Sequence, residues 1–296
     1  MKAVVLTDIH GNIDIINQLV CKYHADIAVV CGDVGFFDRI SIQNMPSEEL
    51  IKIIRHAPIS SDEKSKVYSL AQAEQADFLL QNHFAGMFEE YLNGKKQFVV
   101  PVYAVWGNHE DIRIVNQLRA EPLANLTLLD EKTSVKFENI RLYGLGGNFN
   151  GKHLTMAKKN GIPWIRKQIS SAFWQYDELV KMLDEYPQNE TRIQITHCDP
   201  VAESFLDAVA RRCGAKLTLS GHMHRKEAVR SESTGSSVEL FRRYVEQYPA
   251  LPWKNMLRDT EVSAVEHFNL SPAEPLVLEM EDSEYRINNQ NERKLQ

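Results

Sequence analysis

Five short apolar runs in this chain each stop abruptly at polar residues, and that repetition limits the fold more than any other feature. KAVVLT runs into Asp8-Ile9-His10-Gly11, ADIAVVC into Gly32-Asp33, and PVYAVW into Gly107-Asn108-His109-Glu110. RIQIT runs into His197, and AKLTLS into Gly221-His222-Met223-His224. Runs this short, rich in Val, Ile and Leu and bounded by Gly or polar turns, read as buried strands. The polar residues then fall at strand C-termini and on the loops after them, the sheet edge where many α/β enzymes build their sites.

Helical stretches separate the runs. Apolar residues at Ile15, Ile16, Leu19 and Val20 predict a helix over 13–23. Residues 47–91 read as mostly helical, opened by Ser47 before Glu48 and Glu49 and broken at Pro58 and the Ser60-Ser61-Asp62 cluster. SVKFE and IRLYGLGG pair as a hairpin across Asn139. A second insertion spans about 148–189. Within it, residues 151–176 carry Lys152, His153, Lys158, Lys159, Arg166 and Lys167, no Asp or Glu, and interleaved Trp164, Phe173, Trp174 and Tyr176. A polar, helical stretch is expected from His224 to about 259, then two late strands near 261–269 and 275–281, and a frayed tail from about 288.

The 296 residues suit one domain with insertions at about 38–96 and 148–189 and a C-terminal extension from about 226. With 43% hydrophobic and 25% charged residues, the chain can bury a sizeable core. A formal charge of -6 argues against generic adhesion to nucleic acid or anionic membrane, though not against a local basic patch. Cys21, Cys31, Cys198 and Cys213 form no CxxC pair, so a reducing cytoplasm is the simplest expectation. The first apolar strand is too short for a signal sequence, and no run approaches ~20 apolar residues, so no membrane span is expected. The P-loop, dinucleotide-turn and GxSxG patterns are all missing.

Taken singly, a DxH, a Gly-Asp or an HxH is weak, since most such motifs are turns. Five of them in one order, each closing a separate apolar run, are not coincidence. Asp8-x-His10, Gly32-Asp33, Gly107-Asn108-His109-Glu110, His197 and Gly221-His222-x-His224 together resemble the signature of the calcineurin-like metallophosphoesterases, over about residues 1–224. The resemblance implies a four-layer α/β/β/α sandwich with helical insertions. It also implies two divalent metal ions, one held by Asp8, His10, Asp33 and His224, the other by Asp33, Asn108, His197 and His222, with Asp33 bridging.

Two cations ~4 Å apart would neutralise the charge of a phosphoester and hold a hydroxide nucleophile. Carboxylate and imidazole donors suit Mn, Fe or Zn, with Mn favoured here. By resemblance His109 faces the substrate, as general acid to the leaving oxygen or as transition-state stabiliser. Glu110 is expected to orient it. Asn12 is either a phosphate contact or a turn or helix cap.

For the substrate, the GNHE run and Asp38-Arg39 resemble Ser/Thr protein phosphatases. That subfamily has Arg before GNHE where this chain has Trp106, and Gly where it has Ile40. The CGD start of the second motif, FxxYLxGKK at 88–96, NIRLYGLGGNF, and His197 followed by Asp199-Pro200 are similar to the RNA lariat-debranching enzymes, which carry Cys in place of Asp8. The basic, aromatic segment, including Lys158, Lys159, Arg166 and Lys167, is what a nucleic-acid or nucleotide substrate would favour, against the alternative of a solvated helix pair. Metal-dependent hydrolysis of phosphodiesters or phosphomonoesters is therefore expected, the diester slightly favoured, with a Ser/Thr-type phosphatase and a non-catalytic scaffold as the alternatives.

Overall fold

The structure, a computed structural model, describes residues 1–147, 190–202, 204–224, 227–231, 265–272 and 274–288. The basic segment, with Lys158, Lys159, Arg166 and Lys167, lies outside the described residues.

The elements run β1 (Lys2–Leu6), α1 (Asp14–Tyr23), β2 (Ile27–Cys31), α2 (Arg39–Asn44), α3 (Ser47–His56), α4 (Ser61–Tyr68), α5 (Gln72–Gln81), α6 (Phe88–Leu92) and β3 (Val102–Val105). They continue as α7 (Ile112–Ala120), β4 (Leu126–Leu128), β5 (Ser134–Phe137), β6 (Ile140–Leu145), β7 (Thr191–Thr196), α8 (Ser204–Arg212) and β8 (Ala215–Ser220). The last strands are β9 (Glu227–Ser231), β10 (Val265–Asn269), β11 (Leu276–Glu281) and β12 (Glu284–Asn288).

Two six-stranded sheets result, in the orders β12-β11-β1-β2-β3-β4 and β5-β6-β7-β8-β10-β9. The inner pairs β1-β2, β2-β3, β6-β7 and β7-β8 are parallel. Strands buried on both faces explain why these runs are continuously apolar and do not alternate. Along β1 and β2, Ala3, Val5, Ile27, Val29 and Cys31 face the core between the sheets, with Leu142, Ile193, Ile195, Leu217 and Leu219 opposite. Val4, Leu6, Ala28 and Val30 point the other way and pack with Ile16 and Val20 of α1 and Val115 of α7. With α8 set against β8, this is the expected α/β/β/α sandwich.

The helical insertion between β2 and β3 has a small core of its own, built from Ile42, Leu50, Ile53, Ile54, Val67, Ala76 and Leu79. Its break at Pro58 is observed. Ser60 then caps α4 reciprocally with Glu63, at 3.2 Å to the Glu63 amide and 3.0 Å back from Glu63 Oε2 to the Ser60 amide.

Two expectations fail at the C-terminal side. Residues 227–231 are a strand paired antiparallel with β10, not helix. Strand β12 follows a tight turn after β11, with Asp282 at φ 52, where only two late strands were expected. Both strands lie at sheet edges, where a short polar segment pairs on one side only and carries little apolar signal.

Candidate metal centre

Parallel neighbours end together. β1, β2 and β3 deliver Asp8, Asp33 and Asn108 to one edge, and β7 and β8 deliver His197 and the His222-Met223-His224 loop to the facing edge. Backbone hydrogen bonds then bind the loops to one another. The amides of Asp8, His10 and Gly11 donate to the carbonyls of Gly32 (3.0 Å), Asp33 (2.8 Å) and Val34 (2.9 Å), and Gly221 donates to His197 (3.0 Å). Two glycines permit this crowding. A Cβ on Gly107 would overlap the Asp33 carboxylate, and one on Gly221 would overlap the Thr7 hydroxyl and the Asp8 carboxylate.

The backbone marks the site independently of any motif. Asp8, His10, Asp33, His222 and His224 have φ of 52, 44, 47, 68 and 51°, in the left-handed region that side-chain-bearing residues avoid. Such strain persists where surrounding structure enforces it, and it clusters at functional sites.

The side chains converge. Donor atoms of Asp8, Asp33 and His197 lie within 4.8 Å of one another, and so do those of His10, His56 and His224. His197 Nε2 is 2.9 Å from Asn108 Oδ1, 3.2 Å from His222 Nδ1 and 3.5 Å from Asp33 Oδ2. Its Nδ1 is 3.1 Å from the Cys31 carbonyl, which sets the ring and leaves Nε2 facing the cluster. His224 Nε2 stands 3.2 Å from Asp8 Oδ1.

These residues fit a metal ion. His10 Nε2 is buried without a hydrogen-bond partner, and Asp8 Oδ1 is buried with only His224 Nε2 near it, at 3.2 Å. A cation would supply the partner that His10 Nε2 lacks, and the mixed carboxylate, amide and imidazole donors suit a divalent first-row metal.

Charge balance points the same way. Burial pushes the Asp8 carboxyl up, but hydrogen bonds from His224 and Thr7 and the nearby His197 outweigh it and hold Asp8 below its ordinary range. Burial likewise raises Asp33, and the surrounding His197, His109 and His10 bring it down. Burial lowers His10 to about 4, so that ring is neutral at pH 7, the form in which an imidazole can donate to a metal.

The two residues assigned to catalysis part company. Glu110 does not orient His109. Its buried carboxylate accepts the amides of Val34 (2.7 Å), Gly35 (3.0 Å), Phe36 (2.7 Å) and Gly107 (3.4 Å), fastening the loop after β2 to the one after β3. Burial and the Asp33 charge push it up to about 8. The carboxylate beside His109 is Glu49 of α3, with Oε2 3.5 Å from His109 Nδ1. Contact with His109 holds Glu49 down at about 2. The His109 amide, meanwhile, donates to Asp33 Oδ1 at 2.9 Å.

Sequence reasoning also missed His56, two helical turns beyond Glu49 on α3. Its ring stacks on His10, with centroids 3.8 Å apart and planes 15° apart, and lies 4.9 Å from His224. The i, i+7 spacing of Glu49 and His56 puts both on one face of α3, and that was the available signal.

The remaining residues are placed as follows. Asn12 is exposed beside the Asp8 loop and does not cap α1 by a side-chain hydrogen bond. Trp106 is buried in the core, with Arg119 5.1 Å from its ring, so it offers the substrate nothing. Asp38 caps α2 and pairs with Arg113 at 2.6 Å. Among the described residues, no helix is long and apolar enough to cross a membrane.

The profile of the calcineurin-like phosphoesterases matches residues 1–226. No curated protein sequence matches at a significant level. One solved structure aligns over 97% of this chain and 98% of its own at TM-score 0.51 and 10% identity, a likeness of fold. GAP50, the anchor in the inner membrane complex of Plasmodium, aligns over 97% and 83% at TM-score 0.45 and 9% identity. A hypothetical protein from Thermus thermophilus aligns over 97% and 97% at TM-score 0.41 and 12% identity. The family implies metal-dependent hydrolysis of phosphoesters at a dinuclear divalent centre. Since the matched span runs from β1 through the last histidine loop and takes in every strand end that meets at the site, the chain belongs to the calcineurin-like phosphoesterase family.

Proposed function

We propose that this protein hydrolyses phosphodiesters of the nucleotide or nucleic-acid class, with Mn as the favoured metal and the cytoplasm as its setting. The observation that carries the reading is the convergence at five strand ends of Asp8, Asp33 and His197 in one group of donor atoms and His10 and His224 in another, with Asn108 and His222 in contact with His197. Asp8, His10, Asp33 and His224 would hold one ion, and Asp33, Asn108, His197 and His222 would hold the other. When bound, the two cations offset the charge of the phosphoryl oxygens and activate water. Four cysteines, none in a disulfide, suit a reducing compartment.

The chain's own residues do the rest. His109 gives a proton to the departing ester oxygen as the phosphorus–oxygen bond breaks. Glu49 Oε2, 3.5 Å from His109 Nδ1, holds that side of the ring by charge and leaves Nε2 for that oxygen. A diester is favoured because Trp106 stands buried where protein phosphatases place the arginine that grips a dianionic monoester.

Glu49→Gln is expected to lower kcat by about tenfold with little change in KM, since it loosens a group used in the transition state. Steady-state kinetics would show this. In a His109→Ala background the same change should add nothing, whereas an independent further loss would remove Glu49 from this role.

The activity itself is tested with a panel of mono- and diesters, including RNA, cyclic nucleotides and phosphopeptides, assayed with Mn, Zn, Fe and Mg. Diester turnover above monoester turnover is expected. Phosphopeptide preference would make the chain a protein phosphatase, and no turnover with any metal would make it a scaffold.

A further inference from the structure

A cavity of about 500 Å³ opens beside the metal centre, between the start of α1, the end of α3 and the turn after α5. Asp8, His10 and His56 form part of its wall, so it is continuous with the centre. Its size falls within the range of small-molecule sites, ~300–1,000 Å³. Half of the wall is apolar. Ile15, Leu19, Phe84 and Met87 line it and are not all fully buried, which leaves apolar surface uncovered inside a folded domain. Asn12 and Asn82 line it too and are exposed: the Asn12 amide both donates and accepts, while Asn82 Nδ2 donates to the Phe78 carbonyl at 2.8 Å and its Oδ1 is left to accept.

The charge of the lining selects further. Among the described residues no Lys or Arg lines the cavity, while Asp14 does, held by the Tyr91 hydroxyl at 2.9 Å and Lys96 at 2.7 Å. A second phosphate or other anion would gain nothing here. A fatty chain would leave the Asn12 amide and Asn82 Oδ1 without partners, and a bare sugar would leave the apolar half uncovered. A nucleobase answers both halves, being flat, uncharged, apolar on its faces and hydrogen-bonding at its edge.

We propose that this cavity holds the nucleoside part of the substrate, with the base against Phe84, Ile15 and Leu19 and its edge toward Asn12 and Asn82. The proposal rests on the phosphodiesterase reading and names the substrate class for the same site. It also gives the helical insertion a purpose, since α3 and the turn after α5 build one side of the cavity.

The test compares kcat/KM for thymidine 5′-(p-nitrophenyl phosphate) and methyl p-nitrophenyl phosphate on the Mn-loaded full-length protein. The two esters share a leaving group and differ by the nucleoside. The thymidine ester is expected to be preferred by at least about tenfold, the equivalent of about 1.4 kcal/mol of binding. Leu19→Trp, which fills the cavity, should bring the ratio close to one. Calorimetry with thymidine alone should show binding to the wild type and none to Leu19→Trp, with thermal melting to verify that the variant is folded. If neither ester is hydrolysed yet thymidine binds and Leu19→Trp abolishes it, the catalytic reading fails and the cavity assignment stands. If both esters turn over equally and thymidine does not bind, the cavity assignment is overturned and the catalytic reading stands.

Discussion

Replacing His109 with alanine is expected to cut kcat by about 10²- to 10⁴-fold while both metal ions stay bound, because positioned proton donors contribute rate of that order. The expectation follows from where the residue sits. Its amide is tied to Asp33 Oδ1, so the backbone of the loop is anchored without the ring. Its Nδ1 faces Glu49 rather than the donor cluster, 3.5 Å away, so the imidazole is not one of the seven proposed ligands. The loss should deepen for esters with poor leaving groups, such as alkyl alcohols. For p-nitrophenol, which departs as a stable anion, it should shrink. Metal analysis alongside single-substrate kinetics decides the matter. If metal content falls in step with rate, His109 is a ligand or a structural prop and its assignment as acid is wrong.

Asp33→Ala should abolish turnover and, with it, metal-dependent stabilisation. Asp33 is fully enclosed, lies 3.5 Å from His197 and sits within 4.8 Å of donor atoms from Asp8. It is the carboxylate that both proposed ligand sets share, so its loss would remove a donor from each. For the wild type, Mn at 100 times its Kd should add about 2.7 kcal/mol of stability, a rise of several degrees in Tm for a chain of this length. The variant should show no such rise. In metal-free protein the variant is expected to melt below the wild type, because His197, His109 and His10 favour the ionised Asp33 carboxylate and the His109 amide donates to it. A variant that still gains stability from Mn would show that Asp33 bridges nothing.

Much of the site is legible in the chain because its determinants are local. Each proposed ligand lies at the end of an apolar run, and an apolar run that stops at Gly, Asp, Asn or His declares both a buried strand and its exposed tip. Parallel pairing of such strands then places the tips side by side whatever the loops between them do. The same locality explains the hairpin of β5 and β6 and the break before α4, where turn and capping residues act on their immediate neighbours. Strands β9 and β12 escaped notice because an edge strand is stabilised by the partner it joins, not by its own pattern.

What the sequence alone determined is therefore the set of residue types brought to the strand ends and the chemistry they permit. Tertiary structure decided which of them serve which neighbour. Glu110 follows His109 in the chain yet spends its carboxylate on four backbone amides, while Glu49, far away in sequence, faces the His109 ring. His56 reaches His10 only because the small core of the insertion seats α3 across the site. Trp106, one residue from the signature loop, turns into the core. Adjacency along a strand fixes which residues alternate between its faces, but a side chain's partner depends on what packs above that face, and here that is a helix supplied from elsewhere in the chain.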